Sequence, residues 1–282
     1  MKEVYIINCE NESEILSAEL LAKCIKHFDS SRDVIISTTQ PPSKFSSGLN
    51  IVQYTDTSNP TLNYFKAIVD VECDRAIYFK PDQLLTHFTD ECWETLRNLS
   101  SIVTLKTRLS FSGEPINPQV YYQDSINLSN LSATKNVNAV YFDFTKHGRQ
   151  LLGFCIDFAS DYDYKNIKKY VADQINNGEQ INLPTFPEYI WPSWILTYTS
   201  LVFDDEFIEF DFLDNIDVSK QDYNTADHIW SSRSWNKFLS YWISDSGQLK
   251  IENFIQSGLL KYQTTAWLDE IIIEKLQTAY GQ

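Results

Sequence analysis

Residues 4–8 read VYIIN and residues 75–79 read RAIYF, and these two short runs decide the fold. Their apolar residues are largely continuous instead of alternating with polar ones, which predicts strands that are buried on both faces, as in a parallel sheet. Two further strands are predicted at Val34–Ser37 and Ile51–Tyr54. We expect these strands to lie in one sheet.

Amphipathic segments separate these strands along the chain. Apolar residues recur at helical spacing from Ile15 to Phe28, directly after capping residues at Asn11–Glu14. A second helix is predicted to begin at Asn59-Pro60. Strands that alternate with helices predict βαβ units, so the expected fold class is α/β, with a Rossmann-like, mostly parallel sheet flanked by helices.

The alternation weakens after Leu105, and residues 109–136 predict a long loop region. The remaining predicted elements are helices at Thr86–Leu99, Ile167–Ile175, Phe186–Leu201 (interrupted by Pro192), Trp235–Ser244 and Thr265–Ala279, and strands at Ser101–Leu105, Asn138–Phe144 and Phe207–Phe212. No change in composition divides the chain. We therefore expect a single domain over residues 1–282, which ends in a C-terminal helical extension over residues 236–282.

The composition is typical of a soluble protein of the cytoplasm. Hydrophobic residues make up 43% of the 282 residues, while the formal net charge of −15 repels polyanions and no run of Lys or Arg offsets it. The five cysteines form no CxxC pair, which predicts reduced thiols and argues against a Cys-ligated zinc site. We see no signal peptide, and no apolar run reaches the ~18 residues that span a bilayer. A single Met among many Asn, Asp, Tyr and Ile residues is typical of an AT-rich genome, such as that of a virus.

Candidate binding residues follow the predicted strands, because ligands of open parallel sheets bind at the carboxyl ends of the strands. Asn8 ends the first strand, and Lys80-Pro81-Asp82 follows the fourth. The chain contains no GxGxxG, no GxxxxGKS/T and no GxSxG, which argues against dinucleotide, P-loop and α/β-hydrolase sites.

The order of motifs resembles the nucleotide-sugar glycosyltransferases of the GT-A type. In that family an apolar strand ends in Asp-x-Asp, and the two aspartates hold a divalent cation on the sugar-nucleotide diphosphate. Asp82 falls at the second aspartate and Lys80 at the first, where the sequence departs from the motif. Upstream, Tyr64-Phe65-Lys66 resembles the Tyr-x-Arg helix, whose basic residue contacts the donor.

Two later segments also resemble this family. Asn138–Phe142 resembles its Asn-x-Gly-Val strand beside the sugar. Asp227–Trp235 is similar to the His-x-x-Gly-x-x-Lys-Pro-Trp segment of the glycogenin-like and galactinol-synthase-like branch, although the Gly is absent. The resemblance implies that His228 completes the metal shell and that Arg233 replaces the Lys that contacts the diphosphate.

The resemblance implies transfer of a sugar from a nucleotide sugar, a UDP-hexose, with retention, to an acceptor that the sequence does not identify (a glycan, a protein or a modified DNA base). It assigns residues 1–105 to nucleotide binding and residues 106–235 to the sugar and acceptor. The expected donor-binding residues are Asn8, Lys66, Lys80, Asp82, Asn138, Arg233 and Trp235. Asp82 and His228 would hold Mn²⁺ or Mg²⁺, more weakly than usual because of Lys80, and the catalytic candidates are Lys80 and Glu188.

Simpler interpretations exist for each of these residues. Asp82 fits a solvated turn, Lys66 and Glu188 fit exposed helix charges, and the tryptophans fit a core. Two other functions are also compatible with the sequence. A non-catalytic binding or assembly protein on the same fold would explain Lys80, and a phage-type enzyme that glycosylates modified DNA bases is disfavoured by the net charge.

Overall fold

The computed structural model describes residues 1–86, 90–107, 109, 112–115, 135–162, 192–217, 241–243, 248–251, 253–261, 274–275 and 277–278. The strands are β1 (Glu3–Cys9), β2 (Asp33–Thr38), β3 (Asn50–Gln53), β4 (Arg75–Phe79), β5 (Gln83–Leu85), β6 (Ile102–Thr104), β7 (Ala139–Asp143), β8 (Phe207–Glu209), β9 (Asn215–Asp217), β10 (Tyr241–Ile243), β11 (Leu249–Ile251), β12 (Phe254–Ile255) and β13 (Leu259–Lys261). The α-helices are α1 (Ile15–Phe28), α2 (Pro60–Val69), α3 (Asp90–Arg97), α4 (Gly148–Asp161) and α5 (Pro192–Val202). Over these ranges, none of the helices has the length and apolarity that a membrane crossing requires.

The main sheet has seven strands in the order β3-β2-β1-β4-β7-β6-β8. β1 pairs in parallel with β2 and β4, whereas β7 runs antiparallel to both of its neighbours, β4 and β6. Helices pack on both sides of this sheet. The expected α/β class, with a mostly parallel sheet flanked by helices, is therefore confirmed.

The central strand β1 is buried on both faces. Tyr5 and Ile7 pack in the cluster that contains the apolar side of α1, and Val4 and Ile6 pack in the cluster that contains the apolar side of α2. All four side chains are fully buried. Because each buried aliphatic side chain contributes about 1.5–3 kcal/mol relative to exposure, β1 anchors both layers of the core.

The helical turn that precedes α1 and the first turn of α2 are stabilised by capping hydrogen bonds. Ahead of α1, the backbone amide of Asn11 donates to the Glu14 carboxylate at 3.0 Å, which forms half of a capping box. At α2, the Asn59 side chain accepts from the backbone amides of Thr61 and Leu62. Both caps satisfy backbone groups that a helix terminus leaves unpaired.

Ion pairs and hydrogen bonds surround the amino end of β1. Glu3 accepts from Arg97 at 2.6 Å and from Arg32 at 3.1 Å. The buried hydroxyl of Tyr5 donates to Asp29 at 2.6 Å. Burial alone would raise the pKa of Asp29, but hydrogen bonds from Ser31, Tyr5 and Arg32 outweigh it and hold that pKa at about 2.

The four strands predicted at Val4–Asn8, Val34–Ser37, Ile51–Tyr54 and Arg75–Phe79 are confirmed to within one residue at each end. The α3 helix is shorter than the predicted Thr86–Leu99, and β8 covers only the first half of the predicted Phe207–Phe212. The helix predicted over Phe186–Leu201 is described from Pro192 to Val202 as α5, and residues 186–191 lie outside the described residues. The predicted helix Ile167–Ile175 lies outside the described residues.

The helix predicted at Trp235–Ser244 is wrong over Tyr241–Ile243. These residues form β10, which pairs antiparallel with β11. Aromatic and β-branched residues favour strands, and the SDSG sequence at 244–247 is rich in turn-forming residues, a signal that the helical interpretation overlooked. Within 236–282, the described helical residues are Glu274–Lys275 and Gln277–Thr278. The division of the chain into functional parts stays a prediction.

Two glycines of α4 give a matched test of how closely this helix packs against the end of β7. A Cβ on Gly148 would lie 2.5 Å from the carbonyl oxygen of Asp143, whereas a Cβ on Gly153 would meet nothing within 4 Å. We expect Gly148→Ala to lower the free energy of unfolding by about 1–3 kcal/mol, because the obstructing atoms are backbone. Gly153→Ala should raise it by about 0.5–1 kcal/mol, since Ala is the better helix former. Urea unfolding measures both changes, and equal effects of the two substitutions would contradict the described contact.

Candidate functional site

The carboxyl ends of β1 and β4 meet at the point where the strand order reverses. From β1 the chain passes through α1 to β2 on one side, and it returns through α2 to β4 on the other side. In open α/β sheets, such a reversal leaves a crevice that binds ligands. A cavity of about 580 Å³ lies here.

Polar and aromatic side chains from four segments line this cavity, which we call the switch-point cavity. They come from the end of β1 and the residues after it, the turn before α1 with its first residues, the start of α2, and the end of β4 with the segment after it, while Pro192 comes from the described part of α5. The lining residues are Asn8, Glu10, Ser13, Glu14, Ser17, Pro60, Tyr64, Tyr78, Lys80, Pro81, Asp82 and Pro192.

Three of the residues predicted from the sequence lie together in this lining: Asn8, Lys80 and Asp82. Asn138 is adjacent to it, because its carbonyl oxygen accepts from the backbone amide of Lys80 at 3.3 Å. Lys66 is half-buried on α2 and is not among the lining residues.

The other predicted site residues cannot be placed against the cavity. Glu188, His228, Arg233 and Trp235 all lie outside the described residues. The expected convergence of His228 with Asp82 on a shared cation therefore stays a prediction.

Asn8 is held in place from two sides. Its side-chain amide donates to the Glu10 carboxylate at 2.8 Å, and its side-chain oxygen accepts from the buried hydroxyl of Tyr54 at 2.9 Å. Hydrogen bonds to Glu10 and Tyr54 therefore fix the orientation of the Asn8 side chain at the cavity.

Glu10 was missed by the sequence interpretation. Burial raises the pKa of this carboxyl to about 7, the nearby carboxylates of Glu14 and Asp56 act in the same direction, and the Asn8 hydrogen bond and Lys80 oppose them. A group that titrates near neutral pH inside a cavity is a frequent mark of a functional site. The available signal was its position two residues after the end of the first predicted strand.

Two polar atoms at the cavity have no hydrogen-bond partner among the described residues. They are the hydroxyl of Tyr64, a residue that is only 3% exposed, and one carboxylate oxygen of Asp82. Burial raises the pKa of Tyr64, so its hydroxyl keeps its proton and can donate. Buried polar atoms are normally paired, so these two are suited to a bound water or ligand.

The charges of the lining bear on which ligands fit. Glu10, Glu14 and Asp82 supply three carboxyl groups against the single ammonium of Lys80. Within the described ranges no three His, Cys, Asp or Glu side chains converge closely enough to hold a metal ion. Asp82 is thus the one carboxylate in the Lys80-Pro81-Asp82 segment that could contribute to a metal site. The positive charge of Lys80 would disfavour a cation there.

Comparisons with known proteins give fold similarity at low identity. No protein-family model matches the chain, and no curated protein matches it. Among solved structures, the glycosyltransferase GlyE of Streptococcus pneumoniae TIGR4 is similar, with a TM-score of 0.43 and 12% identity over 75% of this chain and 45% of GlyE. The galactosyltransferase LgtC, in complex with donor and acceptor sugar analogs, gives a TM-score of 0.46 and 11% identity over 99% of this chain and 95% of LgtC. An active-site mutant of LgtC gives a TM-score of 0.47 and 10% identity over 99% of this chain and 95% of the mutant. The chain thus spans less than half of the length of GlyE and nearly all of that of LgtC.

The raised pKa of Glu10 predicts a specific pH dependence of stability. The folded chain binds this proton more tightly than the unfolded chain, so the contribution of Glu10 is fully present below pH 4.5 and is lost as the pH rises through about 7. Glu10→Gln keeps an acceptor for Asn8 and removes the titration. Between pH 4.5 and 7, we expect the free energy of unfolding to fall by on the order of 1–2 kcal/mol less in Glu10→Gln than in wild type, after allowance for solvent screening.

Urea unfolding of wild type and variant from pH 4.5 to 7 tests this expectation. Glu12→Gln is the control, because the Glu12 side chain is 74% exposed and pairs with Lys44 at the surface. Parallel pH profiles for wild type and Glu10→Gln would show that Glu10 titrates as an ordinary surface carboxyl.

Proposed function

We propose that the chain is a GT-A-type glycosyltransferase that transfers a hexose from a UDP-sugar to an acceptor hydroxyl, with retention at the anomeric carbon. The observation that carries the proposal is that Asn8, from the end of β1, lines one cavity with Lys80 and Asp82, from the segment after β4, at the reversal of strand order. Two of them occupy the positions at which the chain resembles the Asp-x-Asp motif of that family. The acceptor is a glycan or a protein, in preference to a DNA base.

The proposed reaction needs no dedicated base. The bond between the anomeric carbon and the diphosphate oxygen breaks, and the acceptor oxygen forms the new bond to that carbon. The acceptor proton passes to the leaving diphosphate. The ammonium of Lys80 offsets the charge that grows on the diphosphate, an electrostatic contribution that is strongest in a site with little water. Glu188 stays the candidate for a carboxylate near the acceptor.

A divalent cation would shield the diphosphate, and Asp82 and His228 are the residues that would hold it. Lys80 takes the place of one carboxylate, and a unit positive charge 4 Å from a cation costs about 4 kcal/mol per unit charge at an effective dielectric of 20. Mn²⁺ or Mg²⁺ is therefore expected to contribute less here than in the family that the chain resembles.

A non-catalytic nucleotide-binding protein is the second candidate function. It is favoured by Lys80, which opposes a cation next to Asp82, whereas the carboxyl groups of Glu10 and Glu14 in the lining weigh against a bound diphosphate. Such a protein would bind nucleotide sugars without releasing nucleotide. A DNA acceptor is disfavoured, because the same carboxyl groups repel a polyanion.

The proposal is tested by UDP binding and by UDP release from a panel of nucleotide sugars. Lys80→Ala should weaken UDP binding by about tenfold or more in chelator, as expected for a lost charge-assisted hydrogen bond. Lys80→Asp should make binding depend on added Mn²⁺. Titration calorimetry with UDP, with and without Mn²⁺, measures both effects.

Lys44→Ala is the matched control, because Lys44 pairs with Glu12 at the surface and does not line the cavity. Its UDP affinity should equal that of wild type. UDP binding that disappears entirely in chelator would contradict the role of Lys80. UDP binding without release from any nucleotide sugar would favour the second candidate function.

A further inference from the structure

Lys261, to which no sequence motif assigns a role, lies next to the Lys80 segment. Its ammonium group donates to the side-chain oxygen of Asn138 at 3.2 Å. The backbone carbonyl of the same Asn138 accepts from the amide of Lys80 at 3.3 Å. One asparagine therefore connects two lysines that are far apart in the sequence.

Strand pairing fixes Lys261 in this position. It lies on β13, the middle strand of a three-stranded sheet in the order β5-β13-β9. In the antiparallel pairing with β5, Lys261 is opposite Gln83, which directly follows the cavity residue Asp82. The register thus places the end of β13 against the segment that carries Lys80, and a slip of one residue would send the ammonium to the other face of the strand.

The surroundings of Lys261 hold buried amides that lack partners among the described residues. Asn138 is 2% exposed and its amide nitrogen has no such partner. Gln83 is fully buried, and both its amide atoms are in the same situation. An unsatisfied buried polar group costs about 1–3 kcal/mol, so this cluster is suited to polar atoms from a ligand or from water.

The chemistry of Lys261 indicates an anionic ligand. A lysine ammonium has three donors, and the Asn138 oxygen uses one of them. In the switch-point cavity, the three carboxyl groups and the single ammonium give a formal charge of −2, which disfavours a diphosphate. Lys261 is not one of the lining residues, but its ammonium lies on the adjacent Asn138. Counted together with the lining, it brings the formal charge to −1, and protonation of Glu10 would reduce the negative charge further.

We propose that Lys261 is a second cationic group of the donor site, and that Lys80 and Lys261 together bind the diphosphate that a divalent cation would otherwise neutralise. This inference rests on the proposed function and adds a residue and a mode of charge neutralisation to it. The two ammonium groups act on the diphosphate oxygens as point charges, while the buried amides of Gln83 and Asn138 offer hydrogen bonds to neighbouring polar atoms. UDP binding then persists in chelator and depends on both lysines.

The experiment compares two substitutions of Lys261 in the full chain. Lys261→Gln keeps a donor for Asn138 and removes the charge, whereas Lys261→Arg keeps both. With chelator present, we expect Lys261→Gln to weaken UDP binding by about 10- to 100-fold and Lys261→Arg to stay within about threefold of wild type. Titration calorimetry with UDP measures these affinities, and circular dichroism with urea midpoints establishes that each variant is folded.

Uridine separates a charge role from a structural one, because it lacks the diphosphate. Lys261→Gln should bind uridine as wild type does, at ligand concentrations raised to suit its weaker affinity. Equal losses for uridine and UDP would overturn the proposal, because they would show that Lys261 supports the fold of the site. Lys146→Ala is the matched control, since the Lys146 ammonium donates to the backbone carbonyl of Leu99 at 2.5 Å.

Two further outcomes distinguish this inference from the function on which it rests. If wild type binds UDP and Lys261→Gln binds it equally well, the inference is overturned and the proposed function stands. If wild type binds neither UDP nor GDP, CDP or ADP, both are overturned. A strict requirement for Mn²⁺ in UDP binding would overturn only the inference that Lys80 and Lys261 together neutralise the diphosphate.

Discussion

The burial of β1 on both faces is the constraint on which the rest of the structure depends. A strand with apolar residues in both directions is stable only when each face is covered, so α1 and α2 must pack on opposite sides of the sheet. Because these crossovers lead to strands on either side of β1, the strand order reverses at its carboxyl end. The position of Asn8 and Lys80 in a shared cavity follows from this requirement for burial, before any binding chemistry is considered.

The two ends of β1 differ in how their polar groups are satisfied. At the amino end, Glu3 is surrounded by arginines, and the Tyr5 hydroxyl lies between the Asp29 carboxylate and the indole of Trp93. At the carboxyl end, the hydroxyl of Tyr64 lacks a partner among the described residues. Folding stability favours the first arrangement and is reduced by the second. Among the described residues, the polar atoms that lack a partner therefore favour the carboxyl end of β1 as the candidate binding end.

The sequence predicts the central strands and three residues of the cavity because these depend on short-range signals. A run of apolar residues identifies a buried strand, and its last residue identifies the carboxyl end of that strand, which is where Asn8, Lys80 and Asp82 lie. Glu10 was missed, because its raised pKa comes from burial beneath segments distant in sequence. Lys261 was missed for a related reason: its strand of three residues acquires a position only through pairing with Gln83 and Asp217. Local pattern carries no information about such a register.

The net charge of −15 and a site for a small anion are compatible because of the range over which charges act. At physiological ionic strength, exposed charges are screened beyond about 8 Å, so the acidic surface contributes little to a compact ligand inside the cavity. Under the proposal, Lys80 and Lys261 contact the diphosphate directly, where screening is weakest. A nucleic acid, by contrast, lies along the surface and meets many carboxylates at once. A diphosphate in the cavity is therefore compatible with a surface that repels a polyanion, which favours a glycan or a protein that carries little negative charge as the proposed acceptor.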